Sequence, residues 1–303
     1  MVYVMGMKKE FNECRLCPRN CLVNRNKEEI GFCLSKNKLK IAKADLHMWE
    51  EPCITGKKGS GTIFFSGCNL RCIFCQNYYI SEMNNGVEID VDRFSQICLD
   101  LQSKGATNIN LVTPTHFVPL IIDGIKLARK KGLKVPIIYN SSGYETVDTI
   151  KLLNGIVDVY LPDFKYYSDE LAVKYSGCKD YFKNASLALD EMVRQKGKCL
   201  FDEFSNIISG VIVRHLVIPS RIEDSKKILK YLHQNYGDKI FLSIMNQYTP
   251  VKKFKYPELN KTVSNHEYDE IIDYAWNIGI RNAFIQEGRT QSESFIPNWD
   301  FKK

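Results

Sequence analysis

A chain of 303 residues with 44% hydrophobic and 25% charged side chains can bury a large core, and its composition excludes a disordered protein. No apolar run reaches the roughly 18–20 residues that span a bilayer, and the start, "MVYVMGMKKEFNEC", has neither the apolar stretch nor the cleavage site of a signal peptide. The formal net charge of +7 favours an anionic ligand only mildly and gives nucleic acid little weight as a partner. A cytoplasmic location with no membrane partner is therefore expected, and there the 11 cysteines point to metal or redox chemistry rather than to disulfides.

The first element in chain order is a Cys-rich segment, residues 1–52. Cys14, Cys17, Cys21 and Cys33 follow the pattern C-x2-C-x3-C-x11-C among many lysines and arginines, with little hydrophobic periodicity. So short a segment buries little apolar surface, so a metal should organise it. Four thiolates complete a site, and both a structural zinc and a second iron–sulfur cluster fit; the tight first three cysteines favour the cluster. Residues 44–60 read as a linker ending in "TGKKGSG", with Cys53 as a spare ligand.

From Gly61 the texture changes. Strands are predicted at "TIFFSG" (62–67), "NINLVT" (108–113), "VPIIYNS" (135–141), "VDVYLPDF" (157–164), "VIVRHLVIP" (211–219) and "KIFLSIMNQ" (239–247), apolar almost throughout, as strands covered on both faces should be. Helices are predicted over 92–104, where Phe94, Ile97, Cys98 and Leu101 share a face, over 118–131, and from "PSRIED", with Ser220 and Glu223 as a capping box. Six strand–helix units imply a parallel sheet, either a partial, open barrel or a doubly wound sheet, with ligands at the C-terminal ends of the strands.

Just past the first of these strands lies "GCNLRCIFCQN". Cys68, Cys72 and Cys75 follow C-x3-C-x2-C, three thiolates where a tetrahedral site wants four. On a [4Fe–4S] cube, three cysteines leave one iron open for a small molecule. This loop, with Phe74 before its third cysteine and a β/α array after it, resembles the radical S-adenosylmethionine (SAM) superfamily. The resemblance covers about residues 53–290 and is closest to pyruvate formate-lyase activating enzymes. It is carried also by "CPRNCLVNR", "EEPCITGKKGSGTIFFSGCNLRCIFCQN", "YNSSGYE", "VYLPDFK" and "IVRHLVIPS".

The resemblance implies an α/β fold with a partial (β/α)6 open barrel of parallel strands over 53–290, preceded by the small metal-binding segment 1–52 and followed by a tail, 291–303. It implies an enzyme in which Cys68, Cys72 and Cys75 hold three irons of the cluster while its open fourth iron chelates SAM, and an electron from the cluster yields methionine and a 5′-deoxyadenosyl radical that takes hydrogen from substrate. The expected partners are an electron donor such as a flavodoxin or ferredoxin and a protein or peptide substrate, with glycyl-radical enzyme activation the specific expectation. Modification of RNA or a small molecule is one alternative; a non-catalytic zinc scaffold is another.

Site residues carry over by position. Phe74, with Asn77 at the end of the loop, is placed at the cofactor. Where the family has a Gly-Gly-Glu segment for the SAM amino group this chain reads "LVTPTH", which makes Thr113, Thr115 and His116 its replacements. Ser141 and Ser142 offer hydroxyls to the ribose or carboxylate of SAM, and Gly143 permits close approach. Asp163 and Lys165 are the candidate catalytic pair, the aspartate at a monovalent-cation site and the lysine toward substrate. Arg214, inside an apolar strand, needs a carboxylate, that of SAM or one nearby, while His215 faces the other way. Gln247 and Tyr248 end the sixth strand at the same mouth.

Overall fold

The apolar runs pair side by side into one sheet. The computed structural model describes residues 8–286 and Trp299. Seven strands run parallel in the order β2 (Ser60–Phe65), β4 (Ile109–Val112), β5 (Ile137–Ser141), β6 (Val159–Pro162), β8 (Ile207–Leu216), β9 (Phe241–Met245) and β10 (Ala283–Ile285). Two antiparallel strands, β1 (Leu39–His47) and β3 (Val87–Ile89), extend the β2 edge, and β7 (Leu200–Phe201) forms a hairpin with β8. β3 and β10 are the two ends of the strand order and do not pair, so the sheet curls without closing.

Nine helices among the described residues connect these strands: α1 (Pro52–Thr55), α2 (Tyr78–Ser81), α3 (Val91–Ser103), α4 (Val118–Lys130), α5 (Val147–Leu152), α6 (Asp169–Ser176), α7 (Tyr181–Lys196), α8 (Ile222–Tyr236) and α9 (Asn265–Asn277). Their apolar faces bury Phe94, Cys98, Ile121, Ile125, Leu189, Ile228 and Ile271 against the strands in one continuous core. Cys98 is thus a core residue, as its place on the apolar face of α3 predicted. Among the described residues no helix is long and apolar enough to cross a membrane.

Three readings need correction. Residues 44–60 are not a linker: β1 runs to His47 and α1 occupies Pro52–Thr55. The strand was masked because Lys40 alternates with Leu39 and Ile41, the half-buried pattern of a strand near a sheet edge; the sheet therefore begins inside the 1–52 segment. Ser220 and Glu223 form no capping box. Ser220 sits at φ +61° and its N–H donates to Glu267, while Glu223 pairs with Lys226. A capping box does exist at α9, between Ser264 and Glu267. Finally, β10 adds a seventh parallel strand, three residues long. The tail 291–303 lies outside the described residues apart from Trp299, whose ring meets Phe64 edge-on at 5.3 Å.

The Cys-rich segment packs on the barrel through two arginines. Arg25 is fully buried; its guanidinium donates to the carbonyls of Lys36 and His116 and lies 4.1 Å from the centre of the Phe11 ring. Arg19 donates to the carbonyls of Asn69, Leu70, Ser176 and Gly177, and its guanidinium stacks 3.8 Å from the Phe32 ring. The Thr149 hydroxyl donates to the Leu16 carbonyl at 2.8 Å.

Candidate active site

A cavity of about 230 Å³ occupies the barrel interior beneath the three-cysteine loop. It is lined by Cys68, Cys72 and Cys75, by the strand-end residues Thr113, Asn140, Ser141, Ser142, Asp163 and Lys165, and from its other end by Glu50 and Arg214.

The loop is shaped for sulfur. β2 delivers the chain to Gly67 at φ +81°, where a Cβ would stand 2.2 Å from the Cys33 carbonyl oxygen, so only glycine fits. The backbone then turns so that the N–H groups of Leu70 and Arg71 donate to the Cys68 sulfur at 3.3 and 3.4 Å. Ser176 donates to Cys72 at 3.0 Å and Ser81 to Cys75 at 3.4 Å. Burial pushes the Cys68 thiol up to about 12, and Cys72 and Cys75 beside it add to the rise; burial raises Cys75 also. Buried thiols of this kind ionise only against a metal, so the donor set fits one. Among the described residues no three such side chains are gathered to hold a single ion. A four-iron cube makes a different demand, since each thiolate binds a different iron.

Phe74 is buried edge-on against Tyr175 and Tyr248, ring centres 6.1 and 5.9 Å away, which fixes the loop backbone beside it. Gln76 donates to the Gln247 carbonyl at 3.0 Å. Asn77, Gln247 and Tyr248 line the cavity, as their positions predicted.

The "LVTPTH" stretch divides. Thr113 lines the cavity and holds φ +58°, a left-handed conformation that is strained for a β-branched residue, with its N–H on the Asn140 carbonyl. Thr115 and His116 do not line it, contrary to expectation. Thr115 donates to Glu145 at 2.9 Å and accepts from Tyr139. The His116 ring bonds the Ser66 carbonyl at 2.8 Å, and burial lowers its pKa to about 3, leaving it neutral. Its own carbonyl accepts from Arg25, so this histidine helps seat the N-terminal segment.

Ser141 and Ser142 face the cavity. Ser142 donates to Asn69, whose amide donates to the Tyr144 carbonyl, tying the serine turn to the cysteine loop. A Cβ on Gly143 would stand 2.1 Å from the Asp163 carbonyl oxygen, which confirms the close approach. Lys165 and Asp163 are paired at 2.6 Å inside the cavity rather than on the surface. Burial works to lower the Lys165 pKa, but the Asp163 carboxylate, with Cys72 and Cys75, outweighs it and keeps the ammonium charged. Arg214 finds the nearby carboxylates it needed: Nε and Nη2 donate to Glu51 at 2.7 and 2.6 Å, and Nη2 also to Glu50. His215, on the opposite face, bonds the Phe164 carbonyl and Ser225.

Sequence reasoning missed Glu50, Glu51, Asn69 and Tyr181. Tyr181 is a buried hub: its hydroxyl donates to the carbonyls of Ser142 and Asp163 and accepts from the Lys165 N–H. It begins an ordinary amphipathic helix, and nothing local marks it. The acidic pair did leave a signal, because an arginine in an apolar strand demands a partner and "EEP" was available.

The four N-terminal cysteines stand apart from the cavity. Burial raises Cys17 and Cys33, Cys17 feels the negative charge of the other three, and the Phe32 N–H donates to Cys21. Cys53 is no spare ligand: it sits on α1, at the end of the barrel opposite the cysteine loop, with Cys199 for a neighbour.

A three-cysteine loop at the C-terminal end of the first parallel strand, above a cavity walled by strand-end polar groups, defines an open α/β barrel with a donor set that fits an iron–sulfur cluster. Residues 62–250 match the model of the Radical SAM superfamily, and the chain belongs to that superfamily. Membership brings with it a [4Fe–4S] cluster and SAM. The chain is 31% identical over 279 residues to an uncharacterized protein of Methanocaldococcus jannaschii, covering 88% of this chain and 75% of the relative. It is 27% identical over 179 residues to the pyruvate formate-lyase-activating enzyme of Clostridium pasteurianum, covering 56% and 66%. The solved structure of SuiB from Streptococcus suis bound to S-adenosylmethionine shares the fold at 11% identity and TM-score 0.50, covering 74% of this chain and 49% of SuiB. The FeFe-hydrogenase maturase HydG of Carboxydothermus hydrogenoformans does so at 13% identity and TM-score 0.50, covering 76% and 54%. The chain thus spans about half the length of these structural neighbours.

Proposed function

We propose that the protein is a radical SAM enzyme acting on a protein or peptide, with activation of a glycyl-radical enzyme as its specific activity. The observation that carries the reading is the set of three cavity-facing thiols with no fourth cysteine among the residues lining that cavity. When bound, the cluster and SAM supply the 5′-deoxyadenosyl radical that takes hydrogen from the substrate. Cys68, Cys72 and Cys75 hold the cluster. The backbone at Phe74, pinned by Tyr175 and Tyr248, orients the adenine, with Asn77 beside it. Thr113 offers its carbonyl and hydroxyl to the SAM ammonium. Ser141 and Ser142 offer hydroxyls to its ribose or carboxylate. Asp163 and Lys165 face the reacting groups, and Tyr181 positions both through their backbones. Relatives named as activating enzymes support the protein-substrate reading. A small one-electron carrier such as a flavodoxin or ferredoxin supplies the electron. Cys14, Cys17, Cys21 and Cys33 hold a second metal group, an iron–sulfur cluster or a zinc ion.

The test is incubation of the reconstituted, reduced protein with SAM. Methionine and 5′-deoxyadenosine should form, and a glycine-radical resonance should appear on the partner protein. If no methionine forms with a strong reductant, the reading fails.

A further inference from the structure

The cavity has a floor as well as a rim. The connection between β1 and α1 crosses the end of the barrel opposite the cysteine loop and turns Glu50 inward to meet Arg214 of β8. One guanidinium serves two carboxylates there, and the side chains of Glu50 and Glu51 are only 6% and 5% exposed. The second ion pair in the cavity, Asp163 with Lys165, stands beside the first, since the Asp163 backbone bridges to that of Arg214 across the sheet and its carboxylate acts on the guanidinium's charge. His47, the other basic group of the wall, is held below its ordinary pKa, chiefly by burial, and adds no charge at neutral pH. Among the described residues three carboxylates therefore face two cations, and one buried negative charge has no counterpart.

A separate deficit lies beside it. Asn110 shares the face of β4 that carries the cavity-lining Val112. Its amide N–H donates to Glu50 at 2.9 Å, but its Oδ1 is fully buried and has no hydrogen-bond partner among the described residues. An orphaned acceptor next to an uncompensated carboxylate costs free energy twice, and one compact group bearing positive charge and several N–H donors removes both costs.

We propose that this floor binds an alkylammonium group of the substrate, an inference that rests on the reading that substrate enters this cavity. An amine suits it better than a guanidinium. The two Glu50 oxygens already serve Arg214 and Asn110, which leaves single lone pairs rather than the free bidentate edge a guanidinium matches. A lysine-like stem would bring its ammonium to Glu50 and Asn110 and leave its carbons nearer the cysteine loop, where hydrogen abstraction takes place.

Calorimetric titration of the cluster-loaded protein with SAM present tests this, using N-acetyl-lysine methylamide and its neutral counterpart N-acetyl-norleucine methylamide. The lysine probe should bind at least ~10-fold more tightly, and Glu50→Gln and Asn110→Leu should each cut that preference to under ~3-fold. Asn110→Leu leaves both Arg214 pairs in place, so a loss shared by the two variants is not a folding defect. SAM affinity should hold in both variants. If it falls with Glu50→Gln, the floor belongs to the ammonium of SAM, and the proposal is overturned. Equal binding of the two probes, competition by potassium ions without any lysine preference, or no lysine binding at ~10 mM overturns it as well. Any of these results alongside intact SAM cleavage leaves the enzyme reading standing; absence of SAM cleavage strikes that reading instead.

Discussion

Two sets of cysteines lie one residue apart in space, for the Cys33 carbonyl packs on Gly67, next to Cys68, and yet they face different surroundings. Cys68, Cys72 and Cys75 look into a cavity walled by strand ends; none of Cys14, Cys17, Cys21 and Cys33 lines it. A thiol count alone separates a three-ligand from a four-ligand site, but it is the direction in which the thiols face that separates a reacting site from a holding one. Arg19 and Arg71 join the two, both guanidinia lying over the ring of Phe32.

The sharpest way to break the comparison is to remove one cysteine from each set. Cys72→Ala should cut methionine formation by at least ~1000-fold, since two thiolates remain for the cube. Cys17→Ala should lower metal content by one site and lower the melting temperature, while SAM cleavage with a chemical reductant stays within ~10-fold. Equal losses of SAM cleavage in the two variants would erase the distinction. Arg19→Ala removes the clasp between the sets and strips a charged donor from four carbonyls; urea titration should show a loss of about 3 kcal/mol.

A smaller effect probes the wall behind the open site. Burial raises Glu145 from 4.5 to about 7, with the hydroxyls of Thr115 and Ser141 opposing the rise. The folded chain therefore binds more protons than the unfolded chain between those two values. Its stability should fall as pH climbs through that interval and stay lower above it, by on the order of 3 kcal/mol for this group. Subtracting the profile of Glu145→Gln from that of the parent isolates this slope; a flat difference would place the carboxyl in a wetter setting. The smallest effect is at Thr113. Thr113→Gly should relieve about 1 kcal/mol of backbone strain and raise stability while weakening SAM binding. A variant that gains stability with unchanged SAM affinity would remove Thr113 from the cofactor wall.

The sequence was legible where one local pattern settled a structure. β4, β5, β6 and β9 fall within the apolar runs predicted for them, and β2 and β8 overlap theirs but start two and four residues earlier, because strands buried on both faces need no partner to declare themselves. Cys68, Cys72, Cys75 and the strand before them gave the centre of the site for the same reason. What was not legible depended on distant partners. β1 places Lys40 between Leu39 and Ile41 because one face of it meets solvent, and it read as part of a basic arm. β10 is three residues long and exists by pairing with β9. Thr115 and His116 sit in the right loop, but their side chains turn into the wall, a choice made by Glu145 and by the Ser66 carbonyl. Glu50 reaches Arg214 across more than half the chain, and Tyr181 gathers three backbone groups from two strand ends.

The docking of the N-terminal segment bears on the order of synthesis. It is fastened to the carbonyls of His116, Ser176 and Gly177 and to the hydroxyl of Thr149. Its cysteines thus meet the cysteine loop early but lack the rest of their docking surface until Ser176 and Gly177 have been made. At translation rates of about 5–20 residues per second, this segment waits for many seconds with its thiols exposed. During that interval it meets metal donors and oxidants before the barrel that will shelter it exists.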